Sequence, residues 1–277
     1  MSAIRFKIFS PSEQLQEYVE CFRIADSDNN ESMVIRVCPN GSPGIAFHYH
    51  GSGSAINSIV TPLRRDEALP TLFLYGQVTT VSEMHFIPPY TSLQVVFKPD
   101  ALSSLFRLDA SSLLNKSLKA EEFGAAALNA QLIVARSDEE RVAICSDFLG
   151  AKLTSAQDNM TIKNAIKLID QHIETANVET VRRHMGLSER QLERQFKQAV
   201  GVPPQLYIRI RRINAALRLM DSGKYSRLAD VAHELNFHDQ SHFIRDMKEF
   251  AGLTPKSIQQ KVDDFYHDQV GSSYLLF

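Results

Sequence analysis

The 277-residue sequence predicts two folded regions of different class, an α+β region followed by an all-α one. Three observations carry that expectation. Short apolar runs separated by turn residues fill the first hundred positions, helical character takes over at Asp100, and a block near the C-terminus is a gapless repeat of an earlier one. Hydrophobic residues make up 44% of the chain, enough for packed cores and too many for a disordered polymer. No apolar run approaches the roughly 18 residues of a membrane helix. The opening MSAIRFKIFSPSEQ lacks the basic-then-apolar order of an export signal, so a cytoplasmic protein without a membrane partner is expected. The cysteines, Cys21, Cys38 and Cys145, are odd in number and form no C-x-x-C pair, which predicts buried free thiols.

In the first region, strands are expected over 33–37, 44–50, 56–60, 72–75, 81–87 and 92–97. Pro39-Asn40-Gly41, Gly51-Ser52-Gly53, Pro62, Pro70 and Pro88-Pro89 supply the turns of an antiparallel, β-rich, cupin-like or related fold. Asp100 is placed to cap a helix over 101–108, with further helices over 120–135 and 138–153. The polar stretch 154–159 reads as a linker. The expected organisation is therefore a β-rich domain ending in helices, 1–153, an all-α domain, 159–262, and an acidic and apolar tail, 263–277. In the all-α part Leu206, Ile210, Ile213, Leu217 and Met220 form one stripe on a helix of about five turns.

Residues 192–204 align without a gap on 243–255: Arg194 falls on Arg245, Phe196 on Met247, Lys197 on Lys248, Gly201 on Gly252 and Pro204 on Pro255. Ser188 and Asp239, both good N-caps, also correspond. Gly186-Leu187 pairs with Asn236-Phe237 one residue out of that register, and both Gly and Asn tolerate the left-handed turn between two helices. Each copy thus reads as short helix, tight turn, capped second helix and glycine stop, a helix-turn-helix occurring twice.

With these residues the sequence resembles the DNA-binding domain of AraC/XylS-type transcriptional regulators, in which one long helix joins two helix-turn-helix units. Asp230-Val-Ala232, Asn236-Phe237, Asp239-Gln-Ser241, Phe243, Arg245, Lys248 and Gly252-Leu-Thr-Pro255 follow the family motif in order and spacing. The resemblance covers about 160–262; the preceding part is more loosely similar to the family's effector or dimerisation domains. It implies a sequence-specific regulator of double-stranded DNA, activation as the commoner mode, contact with RNA polymerase, and an effector-binding or homodimerising N-terminal domain. Two positions depart from the pattern. Asn236 replaces the usual glycine, and Arg182 stands where the family prefers a small residue, so its side chain must snorkel or loosen the first unit.

Charge supports a polyanion partner for the second region only. Residues 159–262 hold 17 Lys and Arg against 11 Asp and Glu, whereas 1–158 hold 13 against 18. Turning Leu192 and Phe196 inward leaves Arg190, Arg194 and Lys197 on the opposite face; turning Phe243 and Met247 inward exposes Ser241, Arg245 and Lys248. By resemblance Arg190, Glu193, Arg194, Gln240, Ser241 and Arg245 occupy base-contacting positions. Lys197, Arg209, Arg211, Arg212, Lys248 and Lys256 are expected at phosphates, where they give affinity without sequence information. The alternative reading is a cupin-like metal- or small-molecule-binding protein or enzyme with a fused helical domain, its ligands drawn from His48, His50, Glu83 and His85 on two strands. The acidic residue that closes such metal motifs is missing after His50, and no catalytic motif occurs, so neither enzyme activity, cofactor nor bound metal is expected. The apolar pattern Leu128, Leu132, Ala135, Val142, Cys145, Phe148 and Leu149 reads first as core packing and, because it exceeds a single capping layer, alternatively as a homodimer surface.

Overall fold

The structure is a computed structural model that describes residues 6–27, 32–51, 53–259, 265–267 and 273–276. Two antiparallel sheets form the β-rich part. The first runs in the order β1 (Phe6–Phe9), β2 (Val19–Ser27), β10 (Tyr90–Phe97), β4 (Gly44–His50), β8 (Leu72–Tyr75) and β11 (Ser117–Lys119), with β5 (Gly53–Ser54) folded back on β4. The second runs β12 (Phe265–His267), β13 (Ser273–Leu276), β3 (Met33–Val37), β9 (Ser82–Phe86), β6 (Ile56–Val60) and β7 (Arg65–Glu67).

The central strands of the first sheet are buried on both faces, and the two-residue period sorts their side chains. Ile45, Phe47, Leu72, Leu74, Leu93, Val95 and Phe97 share one core with α1 (Ala101–Phe106), α2 (Ala126–Val134) and α3 (Asp138–Leu153). On the other face Ala46 and Phe73 meet Ile35, Ile56 and Phe86 of the second sheet. The apolar pattern that suggested a dimer surface is consumed here: Leu128, Leu132, Cys145 and Leu149 lie in the helix-covered core, and Val142 and Phe148 pack against it.

Several expected elements differ in extent for identifiable reasons. The helix expected over 120–135 is a 3-10 turn, Ala120–Phe123, and then α2, because Gly124 turns the chain with φ +73°. Strand β2 escapes a pattern search because Arg23, 2% exposed, occupies an interior position between Cys21 and Ala25. The stretch 263–277, expected as a separate tail, contributes β12 and β13, and β13 pairs with β3 through Tyr274 opposite Val37 and Leu276 opposite Ile35. Its aromatic and leucine content suits a strand, and β3 offers an open edge.

Seven helices follow among the described residues: α4 (Met160–Gln171), α5 (Val178–Met185), α6 (Glu189–Val200), α7 (Pro204–Asp221), α8 (Leu228–Glu234), α9 (Gln240–Ala251) and α10 (Pro255–Gln259). Helix α7 starts with Pro204 in its first turn, where the missing N–H costs nothing. Its Tyr207 and Ile208 close a core with Ile162, Ile166, Val181, Leu192 and Phe196, and its Ile210, Ile213, Leu217 and Met220 close another with Val231, Phe243 and Met247. The linker is tied down: Arg107 Nε donates to Ser155 O at 2.9 Å, Gln157 N to Ser104 O at 3.0 Å, and Tyr18 OH to Asp158 at 3.1 Å.

The β-rich part carries a titration of its own. His48 is fully buried between the Phe73 ring, tilted at 6.0 Å, and the Phe86 ring, edge-on at 5.4 Å, and neither ring nitrogen has a hydrogen-bond partner among the described residues. Burial depresses its pKa from 6.5 to about 3. Between those values the unfolded chain binds a proton that the folded chain refuses, so this contribution is complete above pH 6.5 and declines as pH falls toward 3. His48→Leu is expected to reduce the loss of unfolding free energy between pH 7 and pH 5 by about 2 kcal/mol, at 1.4 kcal/mol per pH unit. Urea titrations at the two pH values measure it; an unchanged difference would remove His48 as the origin.

Candidate nucleic-acid interface

Helices α5 and α6 form the first helix-turn-helix. Gly186, φ +65°, makes the left-handed turn, and Ser188 caps α6 in a reciprocal pair: its Oγ accepts from Gln191 N at 3.3 Å while its N donates to Gln191 Oε1 at 2.9 Å. Helices α8 and α9 repeat the arrangement. Asn236 takes the left-handed turn with φ +53°, which its short polar side chain tolerates, and Asp239 Oδ1 accepts from His242 N at 2.7 Å. Arg182 does not loosen the first unit. Its guanidinium turns outward onto Glu179, with Nη2 2.7 Å from Oε1, and the neighbouring Val181 is buried in the core as its counterpart Val231 is.

Packing decides which face of each second helix is free. Leu192 and Phe196 of α6, and Phe243 and Met247 of α9, are 0% exposed. Their opposite faces reach solvent: Arg190, Glu193, Arg194 and Lys197 on α6, and Gln240, Ser241, Arg245 and Lys248 on α9. Lys256, on α10, is exposed as well. Each unit thus presents a polar surface with cations and amide or hydroxyl groups.

Arg209, Arg211 and Arg212, three of the four arginines of α7, are a correction. Expected at phosphates, they are instead committed to internal partners. Arg209 Nη2 donates to Asp246 Oδ1 at 2.8 Å and to Glu249 Oε2 at 2.6 Å, and both hydrogen bonds hold its guanidinium charged. Arg211 Nε meets Asp170 Oδ1 at 2.9 Å, and its Nη1 reaches Asn40 O at 3.1 Å. Arg212 Nη2 donates to Ala176 O at 2.8 Å and its guanidinium lies 5.9 Å from the Phe237 ring; burial pulls its pKa down. Each arginine therefore fixes α7 to one neighbour: α9, α4 with the β-rich part, or the α4–α5 connection. Asp246, buried on the inward side of α9, was not singled out by the pattern, although an acid three residues beyond Phe243 on an apolar stripe is the signal that marks it.

The four candidate metal ligands do not converge. His48 is enclosed by rings in the first sheet, His50 Nδ1 sits 2.6 Å from Pro89 O, and Glu83 accepts from Arg36 Nη2 at 2.5 Å on the second sheet, where His85 also lies. Among the described residues no three His, Cys, Asp or Glu side chains come together as a metal site. Nor is any described helix long and apolar enough to cross a membrane.

Comparison with known proteins agrees with this geometry. Residues 182–261 match a family described as a helix-turn-helix domain, and residues 7–119 match a domain of unknown function. The F1 operon positive regulatory protein of Yersinia pestis is 30% identical over 99 residues, 35% of this chain and 33% of that protein. The HTH-type transcriptional activator RhaS of Escherichia coli O139:H28 is 33% identical over 98 residues, 35% of each chain. These matches span about a third of the relatives' length. Among solved structures, ToxT of Vibrio cholerae aligns with 12% identity and a TM-score of 0.47 over 94% of this chain and 98% of that one. A structure of ToxT with a bound unsaturated fatty acid aligns with 14% identity and a TM-score of 0.45 over 94% and 97%. Two capped units around a shared helix agree with the match of residues 182–261 to a helix-turn-helix domain, and over this C-terminal region the chain is similar to the two regulators.

Proposed function

We propose that the protein is a sequence-specific, non-enzymatic DNA-binding transcriptional regulator, acting as an activator in the cytoplasm and responding through its β-rich part to a small molecule. The observation that carries the reading is the duplicated unit with its two exposed faces, Arg190, Glu193 and Arg194 on one and Gln240, Ser241 and Arg245 on the other. Arginine can read guanine bidentately and glutamine adenine in the major groove, so these six residues read bases. Lys197, Lys248 and Lys256 meet phosphates. Arg209, Arg211 and Arg212 of α7 set the geometry of the reader rather than touching DNA.

The 18 residues of α7 span about 27 Å at 1.5 Å per residue, which suits two recognition helices in successive major grooves on one face of the duplex. One chain then reads a site of about two helical turns, and no homodimer is needed to supply the second half. An activator of this kind presents a further surface to RNA polymerase. The relatives' names, a positive regulatory protein and a transcriptional activator, support the sign of regulation.

Salt titration of the full chain on a selected duplex tests the electrostatics. Neutralisation of four to eight phosphates gives a log–log slope of about −4 to −7, and Lys197→Ala makes it shallower by about one unit. Arg194→Ala and Arg245→Ala each cost about 1–3 kcal/mol on the best site and relax specificity in separate halves. A preferred sequence untouched by Arg245→Ala in a folded protein refutes base reading by α9.

Arg209→Ala separates a structural arginine from a phosphate contact. It strands the buried Asp246 carboxylate, so unfolding free energy drops by about 3–5 kcal/mol while the salt slope stays the same. A shallower slope with unchanged stability would return Arg209 to the DNA face.

A further inference from the structure

Two loops cross from one sheet to the other, 38–43 between β3 and β4 and 76–81 between β8 and β9. They run side by side, because Gly44 pairs with Tyr75 in the first sheet and Val37 with Ser82 in the second. Together they meet the DNA-binding region at three places. The first is α7: a Cβ added at Gly41 would stand 3.0 Å from both Arg211 Cδ and Tyr207 Cε2, and Asn214 Nδ2 donates to Pro39 O at 2.6 Å. The second is the end of α6, where a Cβ at Gly201 would stand 3.0 Å from Ala110 O and 3.3 Å from Gln77 Cγ. The third is the end of α9, where a Cβ at Gly252 would stand 3.0 Å from Val81 Cγ1. Gly201 and Gly252 are the equivalent stops of the two repeats, so one loop of the β-rich part abuts the same point of both recognition helices.

Loop 76–81 is itself held in place. Gln77 is 0% exposed; its Nε2 donates to Gly41 O at 2.8 Å, tying the two loops together, and its carbonyl accepts from Asn115 N at 2.8 Å. Thr79 N donates to Asn115 Oδ1 at 2.9 Å, and Asn115 Nδ2 to Thr79 Oγ1 at 2.9 Å. Beside Asn115, Leu114 packs on the hydrophobic core of the first unit. The contacts at Gly201 and Gly252 lie away from α7, where they oppose tilting of either unit on that shared axis. The lever is long. The 12 residues of α6 or α9 span about 18 Å at 1.5 Å per residue, so a tilt of about 10° at the stop glycine carries the far end about 3 Å, close to the roughly 3.4 Å rise of one base pair.

Resting on the reading of the chain as a two-groove reader of duplex DNA, we propose that loop 76–81 is a brace under both recognition helices, and that Gln77 and Val81 are positioning residues that set which spacing of half-sites the chain accepts. Neither residue touches DNA. Each acts through the end of the helix it supports, Gln77 on α6 and Val81 on α9, so its loss widens the range of tolerated spacings and leaves the bases read in each half unchanged.

The test has two arms, both on the full chain. The first measures the distance between spin labels at Gln198→Cys on α6 and Glu234→Cys on α8, two exposed positions, in a protein whose native cysteines are buried. The parent should give one narrow distance distribution, Val81→Ala and Gln77→Ala a broad one, and Val81→Ile the narrow one again. Val81 is only partly buried, so its truncation keeps the test open where Gln77→Ala fails to fold. The second arm compares a selected duplex with two relatives whose halves stand one base pair closer or farther apart. The parent should bind these at least tenfold more weakly, Val81→Ala and Gln77→Ala less than threefold more weakly, and Val81→Ile as the parent does. A narrow distribution in folded Val81→Ala and Gln77→Ala proteins overturns the brace. Broad distances with an undiminished spacing penalty overturn its role in specificity. A parent that binds no duplex removes the regulator reading, and the label distances still decide the brace.

Discussion

Helix α7 takes part in two hydrophobic cores at once, and the rest of the reader depends on that shared burial. Tyr207 and Ile208 belong to the first helix-turn-helix, Ile210, Ile213, Leu217 and Met220 to the second, all of them nearly inaccessible to solvent. Because interiors are close-packed, neither unit can rotate about α7 without opening a void or forcing an overlap. The polar groups of α7 follow the same division. Arg209 holds α9, Arg212 holds the α4–α5 connection, and Tyr207 OH and Arg211 share Asp170 of α4. Buried arginine–carboxylate pairs contribute little net stability, but they penalise the wrong register heavily. They fix the relative placement of two recognition surfaces that would otherwise be joined only by a greasy hinge.

The β-rich part enters this arrangement as a third body in contact with α7. Asn214 is fully buried on the helix and satisfies its amide N–H groups on Pro39 O and Ile210 O, the first across the junction between regions. Such a contact is polar and specific, and a loop that shifts by the width of a hydrogen bond loses it. The apolar part of the junction, Cys38 in the second unit's core, gives the contact its area.

The helix-turn-helix half was largely legible in the sequence because its determinants are local. Ser188 and Asp239 as caps, Gly186 and Asn236 at the turns, and the inward pairs Leu192/Phe196 and Phe243/Met247 all stand as spacing predicted. In the β-rich half the strands at 33–37, 44–50, 56–60 and 72–75 were legible through their turns. Strand β2 was hidden by Arg23, and β13 by a pairing partner, β3, more than two hundred residues away in sequence. The α7 arginines were misassigned for the same reason: a cation on a helix beside DNA-binding motifs looks like a phosphate contact until the carboxylates and carbonyls of distant segments are seen against it. Apart from the local break at Gly124, what was not legible was mostly a long-range partner, which neither periodicity nor composition records.

Hydroxyl-radical footprinting of the full chain on its selected duplex tests the central claim most directly, that one chain holds two recognition helices at a fixed separation on α7. The account predicts two protected blocks on one face of the DNA, their centres about one helical turn, 10–10.5 base pairs, apart, with that separation unchanged from site to site. A single protected block, or two blocks whose spacing varies among bound sequences, would contradict it.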